Sequence, residues 1–132
     1  MKPLLLDSNA LLWWLQDNRR LGVKARALIE DPATAVFVSA ASIWEIAIKY
    51  ALGRIELDRS PEKIFPEIFE GGSFRELSVT IEHALASAAL PGYHADPFDR
   101  MLIAQSQIER LAIVTADATF ERYDAAIVDA TR

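Results

Sequence analysis

The chain contains no cysteine and only two histidines among its 132 residues. The lack of cysteine excludes disulfides, thiolate chemistry and thiol-ligated zinc or iron, and it permits a reducing compartment. Two imidazoles are too few for an imidazole-rich metal site. His94 falls in a loop pattern and is expected to be exposed to solvent, and His83 falls on a polar helix turn. Neither is a strong candidate for a metal ligand.

Long hydrophobic runs are also absent, and glycine and proline are few. The opening segment MKPLLLDSN is interrupted by Asp7 before a signal-peptide core or a membrane span could form. We therefore expect a soluble, cytoplasmic protein without a membrane partner. A composition of 52% hydrophobic and 25% charged residues is typical of an ordered globular protein, and this length predicts one domain, residues 1–132.

Positive charge is scarce, since the formal net charge is −5. This argues against a protein that holds nucleic acid through a general basic surface. It does not exclude nucleic acid as a substrate, because bound metal ions would cancel part of the acidic charge and local basic side chains could contact phosphates.

Short apolar runs alternate with helical patterns along the chain. The runs at 3–6, 35–38, 74–77, 112–115 and 126–128 are typical of buried strands. Helical patterns cover 8–16, 22–30, 39–52, 60–69, 80–90 and 96–110, with Ser39 and Thr80 as caps and Gly53 as a stop. This alternation predicts a mostly parallel sheet with helices on both faces, an α/β/α architecture.

Four acids lie where a predicted strand ends or on a helix that could face that edge: Asp7, Glu45, Asp99 and Asp117. Ligand sites of open parallel sheets form at the carboxyl ends of the strands. Two carboxylates about 4 Å apart repel by roughly 4 kcal/mol at an effective dielectric near 20, so such a cluster requires protons or cations. Oxygen donors without thiols favour Mg²⁺ or Mn²⁺ over zinc.

Simpler explanations exist for three of these acids. Asp7 and Asp117 could cap the segments that follow them, and a cap contributes about 1 kcal/mol. Asp96 and Pro97 match a helix start, and Asp99 would then be an ordinary acid of the first turn. These positions alone do not decide between a capping role and a functional one.

Glu45 is harder to explain structurally, because its helix is apolar nearly all round. An ionised buried carboxylate needs a partner. Lys49, one turn later, could supply it, but such pairs contribute only about 0.3 to 0.5 kcal/mol. Trp13, Trp14 and Trp44 are interpreted as core or dimer-interface residues rather than as base-stacking platforms.

Four strings occur in order along the chain: LLLDSNALLWW, SAASIWEIAIK, HADPFDRMLIAQS and TAD followed by phenylalanine and tyrosine. Together they resemble a PIN-domain ribonuclease of the VapC toxin type over nearly the whole chain. The resemblance implies a five-stranded parallel sheet with helices on both faces. It assigns Asp7, Glu45, Asp99 and Asp117 to a catalytic site that holds Mg²⁺ or Mn²⁺. Asp96 becomes an accessory acid, although it could instead be the principal ligand in place of Asp99.

The implied reaction is hydrolysis of RNA phosphodiester bonds, with growth inhibition once a VapB-like antitoxin is removed. Ser8 and Thr115 are expected to bond metal-bound water or to orient a carboxylate. Lys49 and Arg100 are the candidate RNA contacts, although Arg100 could equally form a solvated or dimer salt bridge. The resemblance also implies a homodimer. Asn9 stands where many such toxins have histidine, which could change a contact to RNA or to the antitoxin.

Two other classes of function remain open from the residues. In a phosphatase with an aspartyl nucleophile, Asp7 would be phosphorylated, but Asn9 stands where that chemistry needs a second Asp. A non-enzymatic acidic signalling or interaction module would bind Mg²⁺ without cutting a substrate.

Overall fold

The computed structural model describes residues 2–132. Its strands are β1 (Leu4–Leu6), β2 (Val36–Ser39), β3 (Arg75–Leu77), β4 (Ala112–Thr115) and β5 (Ile127–Asp129). Its helices are α1 (Ser8–Leu15), α2 (Val23–Glu30), α3 (Ala40–Ala51), α4 (Pro61–Glu70), α5 (Ile81–Ala89) and α6 (Pro97–Glu109). A 3₁₀ segment, Ala118–Arg122, lies between β4 and β5.

The five strands form one parallel sheet in the order β3-β2-β1-β4-β5. β1 lies at the centre, where Leu5 is in register with Phe37 of β2 on one side and with Ile113 of β4 on the other. Because every strand runs the same way, all five carboxyl ends lie at one edge of the sheet. This arrangement confirms the predicted α/β/α class and brings the ends of β1 and β4 side by side.

Side chains of the central strands alternate between two hydrophobic layers. Leu4 and Leu6 pack with residues of α1, α2, α3 and α4, such as Leu11 and Ile46. Leu5 faces the opposite layer, where it packs with Leu102 of α6. Fully burying a leucine contributes roughly 1.5 to 3 kcal/mol, so burial on both faces stabilises β1 strongly although it has only three residues.

Several helix ends follow the predicted signals. The Ser39 side chain accepts a hydrogen bond from the backbone N–H of Ala41 at the start of α3. Gly53, just beyond the end of α3, has φ of 70°, a left-handed conformation that glycine adopts without strain. Thr80 and His83 form a reciprocal capping box at the start of α5. The capping box gives His83, which is buried, a role at this helix end.

The predicted boundaries differ from the observed ones by one residue in places. β5 covers Ile127–Asp129 rather than 126–128, since it pairs with β4 through Ile127 opposite Ile113. Within residues 2–132, no helix is both long enough and apolar enough to cross a membrane.

Candidate metal centre

Asp7 and Asp117 lie at the carboxyl edge of neighbouring strands. Asp7 follows β1 directly, and its backbone N–H donates to the carbonyl of Val114 in β4 at 3.1 Å. Asp117 follows the end of β4 by two residues, and its backbone N–H donates to the Thr115 hydroxyl at 3.0 Å. The parallel pairing of β1 with β4 therefore brings two predicted site acids to the same place.

Helices α3 and α6 add the other two predicted acids. Asp99 lies in the first turn of α6, and Glu45 lies in the middle of α3. The negative charges of Glu45 and Asp117 both raise the pKa of Asp7, and those of Glu45 and Asp7 contribute to the raised pKa of Asp99. All four acids are thus close enough to interact electrostatically.

Asp7 is buried, and burial raises its pKa from 3.8 to about 6. Hydrogen bonds from the Thr115 side chain and from the Ala10 backbone partly oppose this rise. The Ala10 bond is the predicted helix cap, with 2.7 Å between the amide nitrogen and Asp7 Oδ1. Capping leaves Oδ2 of the same carboxylate for a second role, so the capping and functional interpretations of Asp7 are compatible.

Asp99 has the larger rise, with its pKa raised from 3.8 to about 7. Burial is the main cause, and the neighbouring charge of Asp96 adds to it, whereas His94 lowers it. A carboxyl group that retains its proton near neutral pH is one whose ionised form is poorly stabilised by solvent and by neighbouring charges. A divalent cation would stabilise that ionised form.

Asp117 differs from Asp7 and Asp99. Burial acts to raise its pKa, but hydrogen bonds from Thr119 and His94 outweigh burial and lower the pKa below 3.8. Its Oδ1 accepts from the Thr119 backbone N–H at 2.9 Å, which is the capping role predicted for it. Asp117 is therefore ionised at neutral pH and available as an anionic ligand.

Glu45 provides a direct test of whether a cation fits. Its side chain is buried, with Oε2 2.9 Å from Lys49 Nζ, the i,i+4 pair predicted from the sequence. Its Oε1 is buried and has no hydrogen-bond partner among the described residues. A buried carboxylate oxygen without a partner is energetically unfavourable. A hard cation such as Mg²⁺ or Mn²⁺ fits this group of oxygen donors.

His94 is the residue that the sequence prediction placed wrongly. Its side chain is only 15% exposed, and its ring packs edge to face against Phe120. Nε2 lies 2.8 Å from Asp117 Oδ2 and 3.1 Å from Asp99 Oδ2. One potential ligand atom from each of these three residues lies within 4.8 Å of the others. The string HADPFD contains this histidine, but a loop pattern does not predict which way its side chain points.

The accessory residues also adjoin the acids. Asp96 caps α6, since its Oδ1 accepts from the backbone N–H groups of Phe98 and Asp99 at 2.8 and 3.2 Å. Ser8 follows Asp7 in the sequence. Its hydroxyl is buried and has no hydrogen-bond partner among residues 2–132. Thr115 contacts both Asp7 and Asp117.

Arg100 has a structural role that its sequence context did not reveal. Its Nη1 donates to the carbonyls of Pro91 and His94 at 3.0 and 3.1 Å. Its Nη2 donates to the carbonyls of Ser87 and Leu90, both at 2.9 Å. These hydrogen bonds from the guanidinium hold the loop between α5 and α6 in place. A phosphate would have to compete with these carbonyls, so the predicted RNA contact has less support from Arg100 than from Lys49.

The tryptophans divide into two groups. Trp13 and Trp14 pack against the larger hydrophobic core, and Trp14 makes an edge-to-face contact with Phe74, with 4.8 Å between ring centroids. Trp44 is 63% exposed and contacts Phe98 edge to face. Trp44 and Phe98 are the sequence neighbours of Glu45 and Asp99, so an apolar surface borders the acids.

Comparisons with known proteins identify the family of this chain. The PIN domain family model matches residues 4–126. Ribonuclease VapC22 of Mycobacterium tuberculosis (strain ATCC 25618 / H37Rv) is 30% identical over 118 residues, which cover 89% of this chain and 88% of that protein.

Two solved structures have the same fold. The crystal structure of FitAcB from Neisseria gonorrhoeae is 23% identical, with a TM-score of 0.67 and coverage of 96% of both chains. The crystal structure of DNA-bound VapBC from Salmonella typhimurium is 19% identical, with a TM-score of 0.67 and coverage of 98% of both chains. The family match spans nearly the whole chain and includes all four acids, which confirms the resemblance: the chain belongs to the PIN-domain family.

Proposed function

We propose that this chain is a metal-dependent endoribonuclease and the toxin of a VapBC-type toxin–antitoxin system. It hydrolyses RNA phosphodiester bonds and inhibits growth when it is released from its antitoxin. The observation that carries this proposal is the arrangement of acids at one edge of the sheet. Asp7 and Asp117 follow neighbouring strands, Asp99 lies with Asp117 beside His94, and the charge of Glu45 acts on both Asp7 and Asp99. The relative named Ribonuclease VapC22 supports the reaction class.

The four acids are the proposed ligands of Mg²⁺ or Mn²⁺, with Asp7 and Asp99 as the main ones. A divalent cation in such a site activates water for attack and neutralises charge on the phosphoryl group. Glu45 contributes its unpartnered Oε1, and Asp117 contributes a carboxylate that is already ionised. Asp7 and Asp99, whose pKa values are raised to about 6 and about 7, would have to be ionised to act as ligands, so metal affinity should depend on pH.

Supporting residues keep these carboxylates in place. Thr115 bonds the Asp7 side chain and accepts from the Asp117 backbone N–H, and Asp96 caps the first turn of α6 that carries Asp99. The buried Ser8 hydroxyl has no protein partner among the described residues and is suited to hold a water molecule. Asp99 rather than Asp96 is the principal acid of this segment, since the Asp99 carboxylate lies with His94 and Asp117 in one group of potential ligands among the described residues.

RNA must approach a protein of net charge −5. Lys49 supplies a positive charge beside Glu45, and it is the better supported of the two proposed phosphate contacts. The exposed Trp44 ring lies next to Glu45 in sequence and borders the same region.

The proposed assembly is a homodimer that binds a VapB-like antitoxin in the cytoplasm, with residues 1–132 as a single PIN domain. Structures of FitAcB and of VapBC share the fold. Large apolar side chains are exposed on successive turns of α5 and α3, at Ile81, Leu85, Trp44 and Ile48, which suits surfaces that meet other chains. Sedimentation of the purified chain, alone and with its antitoxin, tests both associations.

Two rival functions have less support. An aspartyl phosphatase needs a second acid two residues after Asp7, where this chain has an exposed Asn9. A non-enzymatic Mg²⁺-binding module uses the same acids and differs only in the absence of cleavage. A phosphorylated Asp7 trapped during turnover would favour the first rival, and metal binding without cleavage of any RNA would favour the second.

The decisive experiment is incubation of antitoxin-free protein with total RNA and Mg²⁺ or Mn²⁺, compared with EDTA and with an Asp99→Asn variant of verified fold. We expect cleavage by the wild type that EDTA and the substitution both abolish. Cleavage that persists in both controls would contradict a metal-dependent site at these acids.

A further inference from the structure

His94 lies between Asp99 and Asp117, and its two ring nitrogens face different partners. Nε2 lies between two carboxylate oxygens, 2.8 Å from Asp117 Oδ2 and 3.1 Å from Asp99 Oδ2. Nδ1 lies 3.3 Å from the backbone nitrogen of Asp96. This environment suggests two roles for the ring, as a nitrogen ligand of the metal or as a donor to the carboxylates.

The contact at Nδ1 distinguishes these roles. The backbone N–H of Asp96 is a donor, so Nδ1 must offer a lone pair and the single ring proton must reside on Nε2. A histidine that binds a metal through Nε2 needs its lone pair there, and it usually donates its other N–H to an acceptor. His94 has the opposite arrangement. Rotating the ring by half a turn would place carbon atoms against the carboxylates and against the amide, and all three contacts would be lost.

We propose that His94 is a positioning residue of the acidic site, whose Nε2–H is shared by the Asp99 and Asp117 carboxylates and holds them together, and that it is not a metal ligand. The effect of His94 on metal binding rests on the proposed metal-dependent function, whereas its contacts with the two carboxylates do not. Asp117 shows why such a residue is needed. Its side chain is 40% exposed, and its Oδ1 is held by Thr119, so His94 determines the direction of Oδ2.

Groups outside the cluster fix His94 itself. Its backbone N–H donates to the Tyr123 hydroxyl at 2.8 Å, and its carbonyl accepts from Arg100. Its ring makes an edge-to-face contact with Phe120, with 5.6 Å between centroids. The Tyr123 hydroxyl in turn donates to the Pro91 carbonyl at 2.9 Å. Arg100 and Tyr123 therefore act on the acids through His94.

The first test measures which nitrogen carries the proton in metal-free protein. Side-chain NMR of protein labelled in histidine distinguishes a proton on Nδ1 from a proton on Nε2. Signals that disappear in His94→Gln belong to His94, and the remaining buried His83 reports in every variant that the fold is intact. We expect a proton on Nε2 and none on Nδ1, which accepts from Asp96. A proton on Nδ1 would overturn the proposal.

The second test measures Mn²⁺ affinity by calorimetry and nitrogen coordination by pulsed electron paramagnetic resonance. Glutamine keeps an N–H donor near the position of Nε2, whereas His94→Phe keeps the aromatic contact and removes the donor. Since the loss of groups that orient ligands typically costs 10- to 100-fold in metal affinity, we expect about that loss in His94→Phe and substantial rescue in His94→Gln. We also expect no directly bound imidazole nitrogen in the wild type.

A bound nitrogen that is lost in both variants, or equal losses of affinity in both, would overturn the positioning role. Failure of the wild type to bind Mn²⁺ at all would instead refute the proposed metal-dependent function. In that case, the tautomer measurement would still decide the position of the His94 proton.

Discussion

Glu45 and Lys49 form a pair in which only one carboxylate oxygen is used. Oε2 lies 2.9 Å from Lys49 Nζ, whereas the buried Oε1 has no hydrogen-bond partner among residues 2–132. Lys49 thus places a single positive charge beside the carboxylate that is proposed to bind a divalent cation. Its removal should have opposite effects on the metal and on RNA.

We expect Lys49→Met to raise Mn²⁺ affinity and to weaken RNA binding. A partly exposed ion pair contributes up to about 1 kcal/mol, which corresponds to an increase in metal affinity of roughly 5-fold or less. RNA binding should show a shallower dependence on salt, because one phosphate contact is lost. Calorimetry and RNA binding at several salt concentrations measure the two effects. The control is Lys63→Met, an exposed lysine on α4. An unchanged salt dependence in Lys49→Met would contradict the phosphate contact.

We expect Asp7→Asn and Asp99→Asn each to reduce RNA cleavage by more than about 100-fold, beyond the 10- to 100-fold loss typical of residues that only support ligands. In Asp7→Asn, the amide oxygen of the new side chain can still accept the capping bond from Ala10, so the helix start should be preserved. Cleavage rates at saturating Mn²⁺, with circular dichroism as a check of folding, measure this effect. Substantial activity in either variant would remove that acid from the proposed ligands.

The raised pKa values of Asp7 and Asp99 predict how stability depends on pH without metal. Both acids have pKa values above 3.8 in the folded protein, about 6 for Asp7 and about 7 for Asp99. Between pH 4 and pH 7, these two carboxyl groups therefore bind more protons in the folded state than in the unfolded state. The free energy of unfolding should therefore fall as the pH rises from 4 to 7. At about 1.4 kcal/mol per pKa unit, the contribution of Asp7 is on the order of 3 kcal/mol.

Urea unfolding in EDTA across this pH range measures the effect, and Mn²⁺ should reverse the trend, since the cation binds the ionised form. Asp7→Asn should flatten the pH dependence and stabilise the metal-free protein at neutral pH. A metal-free protein that becomes more stable from pH 4 to 7 would contradict the assigned pKa values.

We expect Arg100→Ala to destabilise the protein by about 1 to 3 kcal/mol, because carbonyls of the loop between α5 and α6 lose a charged donor. The salt dependence of RNA binding should stay close to that of the wild type. Arg19→Ala, at an exposed position, is the matched control for loss of charge. A clearly shallower salt dependence in Arg100→Ala alone would restore the phosphate contact predicted from the sequence.

Most of the fold could be predicted from local patterns. Runs such as LLL and AIVT are buried on both faces of a parallel sheet, and caps such as Ser39 and Thr80 mark helix starts by their own hydrogen bonds. The positions of Asp7 and Asp117 also followed from sequence, since both residues closely follow short strands that must end at the same edge.

The loop before α6 could not be predicted in this way. The direction of His94 depends on Tyr123, which is 29 residues away, and on Arg100, whose partners are carbonyls rather than side chains. Neither contact leaves a periodic signal in the sequence. Arg100 was therefore interpreted as a surface cation and His94 as an exposed residue, whereas the two are joined in one hydrogen-bonded unit.

The strand order has a consequence for synthesis of the protein. β1, which precedes Asp7, is made first, but its partner β4 and the acid Asp117 lie more than a hundred residues later. A ribosome must therefore synthesise the chain beyond β4 before the acids can meet. A nuclease built in this order stays harmless to the RNA of its own ribosome until β4 and Asp117 have been made.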